Sequence, residues 1–298
     1  MRLRLVENFR ALFYLPFYAL KERNDAQAEG LEIEWSYANT PGDGVQSVKN
    51  GTADVTWGGP MRIMKDQDTE PFGATSLVGF CEVVSKDPFY LLGRQQLAPF
   101  TLSQLPSLRL SIVSEVPTPW LCLQSDLAEQ GVDVGTYLRT GKIRTDLSFV
   151  EQVQALTAGS QDVVQVFEPY VSQLEQAGMS VLAPACERGP TLYTVFVTTH
   201  AQLAAKKTQF QALSRAMGRT QQWLYTTDPG TIAEVCAHYF PDIDHDTLKQ
   251  GIQRYLRDGV WSRSPHINPE GFEVLSHCLY HGGFIQSPGQ RSTCLSSL

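Results

Sequence analysis

Hydrophobic and polar positions along the chain alternate between short apolar runs and amphipathic stretches. In the first 57 residues the pattern predicts strands at 3–6, 31–37 and 54–57, with helices at 16–23 and 42–49 between them. Strands and helices that alternate at this spacing are typical of βαβ units on a mostly parallel sheet. The pattern therefore predicts an α/β fold.

The alternation starts again after a proline-containing segment, LAPFTLSQLPSLRLSIV, which we interpret as the passage into a second lobe. Before that segment the pattern predicts strands at 78–84 and 90–92. In the second lobe it predicts strands at 108–113, 162–167 and 181–182, and helices at 119–130, 149–158 and 171–177. The β-branched and aromatic run LYTVFVTT predicts a strand that brings the chain back. From residue 210 onward the pattern is helical, and we expect these helices to cover the first lobe.

One ten-residue pattern occurs twice, as QSVKNGTADV at residues 46–55 and as QALTAGSQDV at residues 154–163. Each copy has the end of an amphipathic helix, a glycine suited to the left-handed C-cap conformation, and a strand that opens with Asp-Val. Two copies 108 residues apart are too far apart for a solenoid repeat. We interpret them as the same corner in two similar lobes; the alternative is chance, because such corners are common.

Composition and charge narrow the classes of partner. The chain has 298 residues, 42% of them hydrophobic, which is enough for a buried core in two lobes. A formal net charge of −7 without a Lys/Arg run argues against a nucleic-acid partner or an anionic membrane surface. No apolar run reaches the roughly 18–20 residues of a membrane span, so we expect no insertion into a membrane. Glu7, Asn8 and Arg10 interrupt the apolar region that a signal peptide would need.

Motifs for metals and cofactors are weak. The six cysteines are scattered singly, which predicts buried free thiols in a reducing compartment. His277 and His281 share one helical face, but further ligands are lacking, and a surface or core pair is favoured. Gly58-Gly59 has neither the Lys-Ser/Thr of a P-loop nor the third glycine of a dinucleotide fingerprint. We therefore expect no cofactor, no metal and no assigned catalytic residue.

Several segments in order carry a resemblance: NFRALFYLPFYAL, GLEIEWSYANTPGDGVQSVKNGTADVTWGGP, LPSLRLSIVSEVPTPWLCLQSDLAEQGVD, EQVQALTAGSQDVVQVFEPYVSQLEQAG and WLYTTDPGTIAE. Over nearly the whole chain the sequence resembles the type II periplasmic-binding-protein fold. More narrowly, it is similar to the SsuA-like family, which groups sulfonate, taurine, nitrate and riboflavin binding proteins with the thiamine-pyrimidine synthase. The resemblance implies one lobe from residues 1–88 and 193–298, and a second lobe from residues 89–192.

The resemblance also implies a ligand between the lobes, where loops follow the carboxyl ends of the strands. Each candidate has a plain alternative: packing for the aromatic rings, a tight turn for the glycines, a solvated charge for the arginine, and a helix-dipole contact for the glutamate. The residues at these positions are Asn8, Phe9, Arg10, Trp57, Gly58, Gly59, Pro60, Ser114, Thr118, Trp120, Glu168 and Tyr170.

The loop SEVPTPW favours one kind of ligand. Its two prolines lack amide donors, Glu115 repels anions, and Trp120 offers a flat apolar surface. We therefore expect a planar or aromatic organic molecule stacked on Trp57, Phe9 or Trp120, rather than an oxyanion. Arg10 could neutralise one carboxylate of such a molecule. On this hypothesis Glu168→Ala or Trp57→Ala weakens ligand binding strongly and leaves the fold intact.

Several functions fit the resemblance. The first is the substrate-binding component of an ABC-type uptake system, with a permease partner and hinge closure as its mechanical act. The alternative is an enzyme on the same fold. The C-C-C-F-C stretch of the synthase is absent, which argues against the same chemistry. A desulfinase would need a reactive cysteine in the cleft, and Cys122 is the one candidate by position. A sensory module is a third class. The resemblance implies a periplasmic location, whereas the missing signal peptide and the unpaired cysteines favour the cytoplasm.

Overall fold

The computed structural model describes residues 1–38, 40, 42–97, 99–113 and 116–298. Within these residues ten strands form two sheets of five strands each. The strands are β1 (Arg2–Glu7), β2 (Glu32–Tyr37), β3 (Val55–Gly58), β4 (Leu77–Val84), β5 (Tyr90–Arg94), β6 (Leu110–Ser111), β7 (Ile143–Arg144), β8 (Val163–Val166), β9 (Met179–Pro184) and β10 (Thr194–Thr199).

Helices flank both sheets and fill the C-terminal third of the chain. None of the helices in the described ranges is long and apolar enough to span a membrane. They are α1 (Leu15–Glu22), α2 (Asp25–Ala28), α3 (Asp43–Lys49), α4 (Met61–Thr69), α5 (Thr118–Glu129), α6 (Val134–Arg139), α7 (Phe149–Ala158), α8 (Tyr170–Gln176), α9 (His200–Ala205), α10 (Lys207–Thr226), α11 (Pro229–Cys236), α12 (His245–Asp258), α13 (Pro269–His281) and α14 (Arg291–Cys294).

The two sheets have the same plan. The first has the order β2-β1-β3-β10-β4 and the second the order β7-β6-β8-β5-β9. In each, the first three strands are parallel, whereas β10 and β5 run antiparallel to both of their neighbours. The α/β prediction is confirmed, but the sheets are mixed rather than mostly parallel, because the strands that follow each passage between the sheets enter in the opposite direction. We keep residues 88/89 and 192/193 as the proposed limits of the lobes, since the chain changes sheet between β4 and β5 and between β9 and β10.

The repeated segment forms the same corner in both sheets. Each repeat glycine is left-handed, with φ of 78° at Gly51 and at Gly159, after α3 and α7 respectively. The repeat aspartates then bind an arginine at the start of the neighbouring strand. Asp54 accepts from Arg4 Nη2 at 2.7 Å, and Asp162 accepts from Arg109 Nη2 at 2.7 Å. In both copies the arginine amide donates to the same aspartate at 2.8 Å.

These paired contacts support the two-lobe interpretation of the repeat, because a chance similarity would not reproduce the same three-part corner. The pattern did not predict α4, α6 and β7, whose sequences are short and rich in polar residues. Of these, α4 contributes directly to the candidate site.

Candidate functional site

A row of aromatic rings runs from the first lobe to the second. Phe9 and Phe13, in the segment after β1, have ring centroids 6.1 Å apart in an edge-to-face arrangement. Phe13 lies 5.2 Å from Phe167, which directly follows β8, and Phe167 lies 5.7 Å from Tyr170. Such edge-to-face pairs are a preferred aromatic geometry. The row therefore joins the carboxyl ends of β1 and β8, one strand from each sheet, where the resemblance implied a ligand.

The two ends of this row are accessible, while its middle is buried. Phe13 and Phe167 are 1% and 6% exposed, but Phe9 and Tyr170 are partly exposed. Phe149, the first residue of α7, is also partly exposed and stacks on Tyr170 with 17° between the ring planes and 5.5 Å between the centroids. The buried rings of Phe13 and Phe167 thus form an apolar floor between two partly exposed aromatic surfaces, one from each lobe.

Asn8 fixes the loop that presents Phe9. Its Nδ2 donates to the carbonyl of Trp57 at 3.1 Å, and its Oδ1 accepts from the Phe9 amide at 2.8 Å. A Cβ at Gly58 would lie in van der Waals contact with Asn8 Nδ2, at 3.4 Å. Gly59 follows at the start of the turn into α4 and is partly exposed. These residues form a compact edge at the carboxyl ends of β1 and β3.

Arg10 is directed to the C-terminal helical region. Its Nε lies 3.7 Å from Glu7 Oε1, and its Nη1 donates to the Tyr239 carbonyl at 3.3 Å. The guanidinium carbon also lies 5.5 Å from the centre of the Tyr239 ring. Because Glu7 already supplies its counter-charge, we do not keep Arg10 as the partner of a ligand carboxylate.

Trp57 lies in the core and has no surface for a ligand. Its side chain is 0% exposed, and Phe17 of α1 stacks on it at 4.2 Å with 6° between the planes. Tyr14 and Tyr18 pack edge-to-face at 6.0 and 6.2 Å. The prediction that Trp57 stacks on a planar ligand is corrected here: the aromatic neighbours contributed by the segment after β1 take the place that a ligand would need.

Glu168 is also removed from the ligand shell by burial. It is 0% exposed, and its carboxylate accepts from Arg254 Nε at 2.5 Å and from the Ser172 amide and hydroxyl at 3.1 and 3.0 Å. Burial raises the pKa of Glu168, and the Arg254 guanidinium opposes that shift. Arg254 belongs to α12, so this ion pair holds a C-terminal helix against the second lobe. The carboxylate therefore serves a structural ion pair and does not face a ligand.

The second-lobe loop is only partly described. Ser114 and Glu115 lie outside the described residues. Thr118, 6% exposed, is the first residue of α5 and lies between two prolines. Trp120 is partly exposed, packs against the core of the second lobe, and forms no ring pair with the aromatic residues described above. It therefore does not extend the aromatic row.

Neither the cysteines nor the histidines add chemistry to this region. Cys122 is 0% exposed, and a hydrogen bond with the Cys278 thiol together with burial raises its pKa, which disfavours a reactive thiolate. The His277 and His281 rings are 4.1 Å apart on α13. Among the described residues no group of three His, Cys, Asp or Glu side chains could hold a metal ion.

Several aromatic residues of the site were not predicted. Phe13, Phe149 and Phe167 belong to the row, and Tyr14 packs 5.3 Å from Phe9. The available signal was the concentration of rings in NFRALFYLPFYAL, five aromatic residues in thirteen. A helical periodicity explains such a segment as core, and it does not show which ring reaches a cleft.

The fold described above is shared with known proteins. The model of the NMT1-like family matches residues 84–239, just over half of the chain. The chain belongs to the NMT1-like family. The matched part of this NMT1-like chain contains all strands of the second sheet, including the Glu-Pro-Tyr segment after β8.

Relatives extend the match to the rest of the NMT1-like chain. The Bacillus subtilis (strain 168) protein named "Putative binding protein YtlA" is 21% identical over 288 residues, which are 95% of this chain and 84% of that protein. The periplasmic aliphatic sulphonate binding protein SsuA from Escherichia coli superposes with a TM-score of 0.76 at 15% identity, covering 98% of this chain and 97% of SsuA. The desulfurization enzyme DSZB superposes with a TM-score of 0.65 at 13% identity, covering 97% and 95%. The predicted resemblance to SsuA-like proteins and their fold is confirmed.

Proposed function

We propose that this NMT1-like chain binds a small planar or aromatic organic molecule between its two lobes, as the substrate-binding component of an ABC-type import system. The aromatic row carries the proposal, because it offers partly exposed rings from both lobes on either side of a buried apolar floor. Names among the relatives support a binding role: YtlA is named as a putative binding protein and SsuA as a periplasmic binding protein.

The proposed ligand shell keeps only part of the predicted set. A flat molecule would stack on Phe9 from the first lobe and on Phe149 and Tyr170 from the second. Ligand pockets of this type combine apolar walls with a few polar groups that fix orientation. We propose that these polar groups come from Asn8, Gly58 and Gly59, at the carboxyl ends of β1 and β3, and from Thr118, the first residue of α5.

A ligand screen tests the proposal. We expect vitamins, pyrimidines, flavins or aromatic carboxylates to raise the midpoint of thermal unfolding, because a ligand that binds only the native state stabilises it by mass action. The hit should be recovered chemically unchanged after long incubation. A hit that is consumed would favour an enzyme on this fold instead.

Two variants locate the binding surface. We expect Phe9→Ala and Tyr170→Ala each to raise the Kd of the hit roughly tenfold, because a stacked ring contact and its buried area contribute on the order of 1–2 kcal/mol. Phe72→Ala and Tyr280→Ala are matched controls, since these rings are 60% and 40% exposed and lie outside the row. Calorimetric titration gives the four values. Equal affinities across all four variants would contradict the placement of the ligand.

A further inference from the structure

Arg62 lies at the same edge of the first lobe as Phe9. It belongs to the first turn of α4, directly after the Gly58-Gly59-Pro60 turn that ends β3. A Cβ at Gly42, in the segment after β2, would lie 3.1 Å from Arg62 Nη1, so the guanidinium reaches across that segment. Its charge also acts on the hydroxyl of Tyr14, whose ring packs 5.3 Å from Phe9. The segments that follow β1, β2 and β3 therefore converge around this one cation.

The charge of Arg62 is not compensated within the described part of the chain. No carboxylate there lies within ion-pair distance of it, whereas the nearby lysines are paired: Lys49 with Asp66 at 2.5 Å and Lys65 with Asp68 at 3.7 Å. The side chain is half-buried, and burial lowers its pKa. A partly buried charge without a partner costs free energy. A bound anion would offset that cost.

Two hydroxyl groups lie in this region: that of Tyr14, near the Arg62 guanidinium, and that of Thr194, next to Tyr14. Burial raises the pKa of Tyr14 against the opposing influence of Arg62, so the phenol stays protonated and can donate. Thr194, at the start of β10, is 0% exposed, and its hydroxyl interacts with the Tyr14 hydroxyl. Buried hydroxyl groups are nearly always paired in folded proteins. The Tyr14 hydroxyl and a guanidinium that has no carboxylate partner in the described part of the chain are thus two donors that an anion could accept from.

We propose that Arg62, with the Tyr14 hydroxyl, binds the acidic group of the ligand, so that the substrate class of the cleft is an aromatic carboxylate. This inference rests on the proposed function, because the ring of such an acid would stack on the aromatic row. A guanidinium recognises a carboxylate through two parallel hydrogen bonds. Arg62 thus takes the role expected of Arg10, since it has no carboxylate partner in the described part of the chain.

Matched acids and amides test the inference. The probes are benzoate and indole-3-carboxylate, their neutral amides, and benzenesulfonate, titrated into the wild-type chain and into Arg62→Gln, Arg62→Lys and Arg10→Gln. We expect the carboxylates to bind the wild type at least about tenfold more tightly than the amides, since hydrogen bonds to charged groups are the strong ones. Arg62→Gln should abolish this difference, Arg62→Lys should keep part of it, and Arg10→Gln should keep all of it. Benzenesulfonate should bind more weakly than benzoate; equal binding would replace the carboxylate class with oxyanions in general.

The outcomes separate this inference from the proposed function. Amides that bind as tightly as acids, or acids that bind Arg62→Gln as tightly as the wild type, would overturn the role of Arg62 and leave the aromatic cleft standing. Failure of acids and amides alike, together with a negative wider screen, would overturn both. The thermal midpoint of ligand-free Arg62→Gln should not fall, because no ion pair with a described residue is lost. A fall with unchanged acid binding would assign Arg62 a structural role instead.

Discussion

Replacing Glu168 with alanine is expected to lower the free energy of unfolding by about 3 kcal/mol or more, and to change ligand binding only through that loss. Removing one partner of a buried ion pair leaves the other charge uncompensated, which typically costs about 3–5 kcal/mol. Arg254 is 12% exposed and would keep its contacts with the Tyr90 ring and with Glu175, whose side chain is 39% exposed. The Ser172 amide and hydroxyl would also lose their acceptor. Urea denaturation measures the change.

The neighbouring packing explains why the effect should be large and gives a control. Gly251 of α12 packs so closely that an added Cβ would lie 2.6 Å from Leu12 Cδ2 and 3.3 Å from Glu168 Cβ, so the helix contacts both lobes at this point. The double variant Glu168→Ala/Arg254→Met should lose less stability than Glu168→Ala alone, because no buried charge is left unpaired; Glu175, which loses Arg254, is 39% exposed and is solvated by water. Unchanged stability of Glu168→Ala with abolished binding would restore Glu168 as a ligand residue.

Trp57→Ala is expected to lower the free energy of unfolding by about 3–5 kcal/mol, the usual cost of removing a buried tryptophan ring. The ring is 0% exposed and is stacked on Phe17, so its removal separates α1 from β3. Its Nε1 has no hydrogen-bond partner in the described part of the chain, so the loss is one of packing alone. The midpoint of urea unfolding reports it.

Trp57→Phe is the matched control for this prediction. A phenylalanine keeps the stack on Phe17 and leaves a smaller cavity, so we expect less than half of the loss seen for alanine. Ligand affinity should be unchanged in Trp57→Phe. A stable Trp57→Ala chain with weakened binding would instead support the stacking role predicted from the sequence.

Most of the fold could be predicted because its signals are local. The repeat at residues 46–55 and 154–163 shows a helix end, a left-handed glycine and a strand start, each of which depends on a few neighbouring residues. The antiparallel direction of β5 and β10 depends on how the chain passes between sheets, and hydrophobic periodicity carries no information about that. The paired bonds of Arg4 to Asp54 and of Arg109 to Asp162 likewise join strands far apart in sequence.

The candidate site was harder to predict, because a strand end identifies a position and not the direction of a side chain. Trp57 and Glu168 follow or end the expected strands, yet both are fully buried by neighbours from α1 and α12. Phe9 and Tyr170 occupy equivalent positions and are partly exposed. The sequence does not single out Arg62, because GGPMRIMKDQDT has too few apolar residues to predict α4.

Hydrogen exchange with and without a bound ligand tests the central claim most directly, since backbone protection maps where a ligand orders the chain. The account predicts added protection in segments from both lobes at once, around residues 8–14, 58–62, 149–152 and 167–172. It would be contradicted by protection confined to one lobe, or centred on the separate cavity of about 490 Å³ lined by Cys81, His266 and Leu298.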